Sequence, residues 1–69
     1  MGSLSITVNG QSRDIAGPAT LDDLLRGLGL DARTVVVEHN RRIVRRPMLG
    51  ETTLTAGDSV ELVHFVGGG

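Results

Sequence analysis

Leu4, Ile6 and Val8 alternate with Ser5, Thr7 and Asn9. A period of two puts the three apolar side chains on one face, as in a strand with one buried side. Asn9-Gly10 follows, and both residue types accept the positive φ that a type I′ hairpin turn demands. The chain is therefore predicted to double back. Gln11 to Ile15 is the return strand, polar enough for a sheet edge, and Ala16-Gly17-Pro18-Ala19 reads as a loop. The pattern then changes period. Leu21, Leu24, Leu25 and Leu28 recur at i, i+3, i+4 and i+7, which draws one apolar stripe along a short helix. Thr20 is a suitable N-cap, and Asp23 three residues on completes a capping-box-like pattern. Asp22 and Asp23 lie where the helix dipole favours negative charge. Gly29 is placed to end the helix as its C′ residue, with Leu30 beyond it for the accompanying apolar contact.

Thr34 to Glu38 is β-branched and reads as an interior strand. Asn40 makes a turn, Ile43 and Val44 form a short strand, and Arg46-Pro47 ends it because proline has no N–H to give to a ladder. Met48, Leu49 and Leu54 are apolar points in an irregular stretch, and Ala56-Gly57-Asp58 is a turn. Ser59 to Val66 is the last strand. The order is β-β-α-β-β-β, which predicts an α+β fold with a mixed sheet of about five strands and one main helix laid across one face.

Within the last strand Val60, Leu62, His64 and Val66 share one side, and Glu61, Val63 and Phe65 share the other. Both sides cannot pack on a single helix. Glu61 marks its own side as the wet one, so Val60 and Leu62 are assigned to the core. Val63 and Phe65 then lie on an exposed sheet face, and Val66 follows them at the chain's end. Phe65 is the one aromatic residue in the chain. It either caps the end of the core or, with Val63 and Val66, forms a patch for docking a partner.

Composition narrows the chemistry. A chain of 69 residues can bury one thin core and no deep substrate cleft. It has no cysteine, which removes disulfides, thiolate zinc sites and a cysteine nucleophile together. No apolar run approaches the roughly 18 residues needed to span a bilayer, and no secretion signal is evident, so the protein is expected in the cytoplasm. The net charge of −1 does not suit a nucleic-acid binder. His39 and His64 are the two histidines, far apart in sequence, and no cluster has the spacing of a metal site. The serines have no evident base partner. The chain is expected to be a substrate of enzymes and not itself an enzyme, with no metal or cofactor of its own.

The chain closes on Gly67-Gly68-Gly69. Glycine loses the most backbone entropy on ordering, so residues 67–69 are expected to be a flexible tail on a domain spanning 1–66. Lacking Cβ atoms, such a tail can thread a channel too narrow for side chains. Three extended residues reach about 10 Å, enough to carry the terminal carboxylate into another protein's active site.

The segment Val60 to Gly69 closely resembles the end of the bacterial thiamine-biosynthesis sulfur carriers, the ThiS family. So does the segment Val35-Val36-Val37-Glu38-His39-Asn40-Arg41-Arg42-Ile43-Val44, a valine-rich strand followed by Glu, a variable residue, Asn and an isoleucine-containing strand. The resemblance implies a ubiquitin-like β-grasp fold, with the first and last strands parallel in the centre of the sheet. It implies that the carboxylate of Gly69 is adenylated by a ThiF-type E1-like adenylyltransferase using ATP and Mg²⁺. A sulfur donor protein would then convert it to a thiocarboxylate that delivers sulfur to thiazole synthase. Gly67 and Gly68 match the threading glycines. The free protein would be a monomer.

Three other readings remain at this point. A sulfur carrier of another pathway, such as the small subunit of molybdopterin synthase, shares the fold, although Phe65-Val66 directly before Gly67 favours the thiamine branch. A ubiquitin-like protein modifier would use the same glycine end for isopeptide bonds. A nucleic-acid module is suggested by Arg41, Arg42, Arg45 and Arg46, four arginines in six positions. It lacks aromatic residues for base stacking, and the same arginines serve equally to guard an edge strand.

Overall fold

The computed structural model describes residues 2–65. β1 (Gly2–Val8) and β2 (Gln11–Gly17) form the first hairpin, paired antiparallel from Val8↔Gln11 to Gly2↔Gly17. Its turn residues Asn9 and Gly10 have φ of 50° and 82°, the type I′ geometry that matches the natural twist of two strands. The strand β2 runs two residues further than the sequence suggested. Ala16 and Gly17 still pair with β1, and Pro18 ends the strand. A side chain at position 17 would meet Leu4, since a Cβ there lies 3.0 Å from Leu4 Cγ. Glycine at this position thus reports close approach and not a loop.

The helix α1 (Leu21–Gly27) is built from the signals at its ends. The Asp23 N–H donates to Thr20 Oγ1 at 3.1 Å, and the Thr20 N–H donates to Asp23 Oδ2 at 2.9 Å, a reciprocal capping box. At the other end Gly29 has φ of 73°. Its N–H reaches the Arg26 carbonyl and that of Leu30 reaches the Leu25 carbonyl, the paired bonds of a Schellman motif. Leu21, Leu24 and Leu25 are buried, and Leu28 and Leu30 pack at the core's margin.

A one-turn 3₁₀ helix (Ala32–Thr34), capped by Asp31, leads into β3 (Val35–His39). Thr34 therefore belongs to the turn and not to the strand: its hydroxyl donates to the Asp31 carbonyl at 2.7 Å. β4 (Arg42–Val44) returns beside β3 through a second two-residue turn, Asn40-Arg41, whose φ values are 51° and 71°. The stretch expected to be irregular contains a 3₁₀ helix (Arg46–Glu51) with Pro47 in its first turn, and it buries Leu49. Leu54 is buried just beyond, held by its N–H on the Ala19 carbonyl at 2.8 Å.

β5 (Ser59–His64) closes the sheet in the order β2-β1-β5-β3-β4, parallel to β1 and antiparallel to β3. α1 and the second 3₁₀ helix cover one face, where Ile6, Val8, Val35, Val37, Val60 and Leu62 meet the helix leucines. The expected mixed sheet of five strands with one main helix is what forms. The last strand is shorter than expected, ending at His64, because β3 begins at Val35 and offers no ladder partner beyond the Val35↔His64 pair. His64, although on the same side as Val60 and Leu62, is exposed for the same reason. Among the described residues no helix is long and apolar enough to cross a membrane.

Candidate functional site

The sequence directs attention to the end of β5, and the fold places that end with unusual security. The strand occupies the middle of the sheet, yet its ladder with β1 has only the pairs Thr7↔Ser59 and Val8↔Val60. The Asn9 side chain continues it. Its Oδ1 accepts from the Leu62 N–H at 2.7 Å and its Nδ2 donates to the Leu62 carbonyl at 3.2 Å, so an amide stands in for one more strand residue. On the other edge Asn40 acts on the start of the strand. Its Oδ1 accepts from the Ser59 N–H at 2.9 Å, and its own N–H donates to the Ser59 carbonyl at 2.8 Å. Two asparagines, each in a positive-φ turn, thus hold β5 from both sides. The sequence marks both as turn formers, and Asn40 also as part of the segment that resembles the ThiS family, but neither as a partner of β5.

Beside Asn40 lies a polar node that the sequence did not disclose. His39 Nε2 is 2.7 Å from Asp58 Oδ2, with only 18% and 12% of the two side chains exposed. The Thr55 N–H donates to Asp58 Oδ2 at 2.8 Å and Asn40 Nδ2 to Asp58 Oδ1 at 3.2 Å. Burial alone pushes the Asp58 carboxyl up, but the hydrogen bonds from His39, Thr55 and Asn40 outweigh it and hold the carboxyl below its ordinary value. The node joins the β3–β4 turn to the loop entering β5. No sequence spacing links positions 39 and 58; only the closing of the sheet brings them together.

The sheet face opposite α1 carries Val36 and Val63 as a cross-strand pair, with Phe65 one step beyond Val63. Val63 is 57% exposed and Phe65 59%, so the aromatic ring does not cap the core. The Phe65 N–H still donates to the Thr34 carbonyl at 3.0 Å, which fixes the backbone where the strand ends. Ile43 extends the same face across β4 at 67% exposure. Further from the tail, Glu38 and Glu61 stand directly opposite one another. Like charges in that position oppose folding by a few tenths of a kcal/mol, a sign that this part of the face was not shaped for stability. Val66, Gly67, Gly68 and Gly69, the rest of the expected site, lie outside the described residues.

The body brings together little else of chemical use. Among the described residues no group of three or more His, Asp or Glu side chains could hold a metal ion. His39 and Asp58 bond to each other, and Asp58 also accepts from the Asn40 amide and the Thr55 N–H; among the described residues no serine or threonine hydroxyl hydrogen-bonds to either.

Known proteins give this geometry a context. A sequence profile of the ThiS family matches residues 6–69. A protein named thiazole synthase from Magnetococcus marinus is 39% identical over 66 residues, which is 96% of this chain but only 20% of that protein. The chain therefore spans about a fifth of the length of that relative. The sulfur carrier protein ThiS of Bacillus subtilis is 42% identical over 50 residues, covering 72% of this chain and 76% of its own. Among solved structures, the thiamine biosynthesis protein ThiS from Geobacter metallireducens superposes with a TM-score of 0.83 at 35% identity, over 96% of this chain and all of that one. The resemblance in the valine strand and the glycine end thus extends through the whole fold: the chain belongs to the ThiS family and has a ubiquitin-like β-grasp fold.

Proposed function

We propose that this chain carries sulfur on the main-chain carboxylate of Gly69 and delivers it for construction of the thiazole ring. The observation that carries the reading is the reach of the family match, which runs through Gly69 and so takes in the three glycines as well as the folded body. A carboxylate is a poor electrophile toward a sulfur nucleophile. A ThiF-type E1-like adenylyltransferase, using ATP and Mg²⁺, would join the Gly69 carboxylate to AMP with release of pyrophosphate. Sulfur at the sulfide oxidation level, supplied by a sulfur donor protein, would then attack the acyl carbon, expel AMP and leave a thiocarboxylate, which thiazole synthase would consume. The chain itself needs no cofactor, and it acts as a cytoplasmic monomer, a substrate and carrier for other enzymes.

Gly67 and Gly68 give the carboxylate passage into a narrow active site. Val63 and Phe65, with Val66 after them, supply the apolar contact that holds the body at its mouth. Incubating the protein with the adenylyltransferase, ATP and a sulfide source is expected to raise its intact mass by the difference between sulfur and oxygen. Fragmentation should place that change on Gly69. An unchanged mass, under conditions that charge a known ThiS, would overturn the reading. Phe65→Ala is expected to weaken binding of the adenylyltransferase at least tenfold, as removal of a central aromatic contact does. Its thermal stability should barely move, because the ring is exposed. Equal losses of binding and stability would return Phe65 to a structural role.

A further inference from the structure

Four arginines, Arg41, Arg42, Arg45 and Arg46, crowd the β4 edge, and all four are exposed. The ion pairs among the described residues tie Arg26 to Asp22 and Asp23, Arg33 to Asp31, and His39 to Asp58. None uses the four arginines of this edge. Asp31 feels the field of Arg46 but already takes its hydrogen bonds from Arg33. A protein of net charge −1 thus keeps a concentrated positive edge that no ion pair among the described residues neutralises. The edge is continuous with the apolar face. Arg45 and Arg46 line one groove together with Val36, Ile43, Phe65 and Arg33, and Phe65 is the last of the described residues.

Guarding an edge strand against aggregation needs one or two charges, and it does not need them to border an apolar groove. Charge around an apolar centre is instead the arrangement of a docking surface whose rim steers encounter and sets register. In the Magnetococcus relative the matching module makes up a fifth of a protein named thiazole synthase, so that module and the rest of the synthase share one chain. The Bacillus relative, matched over 76% of its own length, is a carrier protein in its own right, and a carrier not joined to a synthase must find one through its surface.

We infer that the β4 edge, Arg41, Arg42, Arg45 and Arg46 beside Ile43 and Phe65, is the surface that docks this carrier on an acidic face of thiazole synthase. The inference rests on the proposed sulfur-carrier function and names the partner face that function would use. Long-range attraction to such a face raises the rate of productive encounter and fades as salt shortens its range to about 3 Å at 1 M.

The test compares Arg45→Glu and the double variant Arg45→Glu/Arg46→Glu with Arg13→Glu. Arg13 is exposed on β2, at the far edge of the sheet, and its reversal changes the net charge as much as that of Arg45. Association with thiazole synthase from the same organism is followed at about 50 mM and 1 M salt. The Arg45 variant is expected to associate about tenfold more slowly at low salt and the double variant more slowly still, with the gap closed at high salt. Arg13→Glu should behave as wild type. Equal effects at both edges, no effect at either, or no binding of the wild-type chain would each overturn the inference. So would tighter binding of the wild-type chain to a 20-bp DNA duplex than to the synthase, which would make the edge a nucleic-acid surface. Circular dichroism melting of each variant separates lost docking from lost folding. If wild-type Gly69 acquires sulfur and the Arg45 variants still dock normally, the docking surface alone is wrong. If Gly69 never acquires sulfur, the carrier function itself fails.

Discussion

Removing Gly69 is expected to abolish sulfur transfer completely while leaving the melting temperature of the protein unchanged. The two halves of that result have separate causes. Function fails because the reacting carboxylate would move to Gly68, about 3.5 Å short of its former reach. An adenylating site that works by positioning tolerates no displacement of that size, since misplacement by about 1 Å can cost a hundredfold in rate. Stability persists because the sheet's last described hydrogen bond is donated by the Phe65 N–H, and glycine has no side chain to bury. The measurement pairs intact-mass detection of the thiocarboxylate with calorimetric melting of the same sample. Residual charging at wild-type rates would remove Gly69 from the chemistry. A fall in melting temperature of more than a degree or two would make the glycine end part of the fold.

Asp58→Ala is expected to have the largest effect on stability of any polar substitution in the described chain. It strips the acceptor from the Thr55 N–H, the Asn40 amide and the His39 ring at once, in a site where only 12% of the Asp58 side chain is exposed. Donors left unsatisfied in such a place cost about 2 kcal/mol in total, which for a domain of this size lowers the melting temperature by roughly 10 °C. The same group sets an acid limit. Its carboxyl is held below the ordinary value, so the folded state binds the proton less readily than the unfolded chain. The resulting stabilisation is complete above the ordinary carboxylate pKa of about 3.9 and is lost as pH falls through the folded value. Asp31, whose carboxyl is lowered to about 2 chiefly by hydrogen bonds from the Arg33 side chain and then its backbone N–H, titrates in the same direction. Urea titrations between pH 6 and pH 3 should show wild-type stability falling and Asp58→Asn falling less steeply. Parallel slopes for the two proteins would mean that Asp58 ionises identically in the folded and unfolded states.

The elements most legible in the sequence were those whose signals are local. The leucine stripe, the Thr20–Asp23 capping box and Gly29 defined α1 because a helix satisfies its own hydrogen bonds and needs only its neighbours. Asn9-Gly10 marked the first hairpin because positive φ is a property of the residues themselves. The alternation in the last strand sorted Val60 and Leu62 from Val63 and Phe65 correctly, and the structure buries the first pair and exposes the second. Errors gathered where a residue's role depends on something distant. Ala16 and Gly17 carry loop signals, but β1 is in reach and they pair with it. His64 has the parity of a core residue, but β3 starts too late for the core to extend that far.

Residue order alone determined which segments become helix and strand and which side of each is apolar, because each of these depends on groups only a few residues apart. Only the tertiary structure decided how β5 is held and what lies around its exit. The Asn9 and Asn40 amides on its two edges, the His39–Asp58 contact and the gathering of Arg45 and Arg46 beside Phe65 all join residues separated by some 19 to 53 positions. Such contacts form only when loop-closure entropy is overcome by the collapse of the whole core, and that is a property of the sheet as a unit.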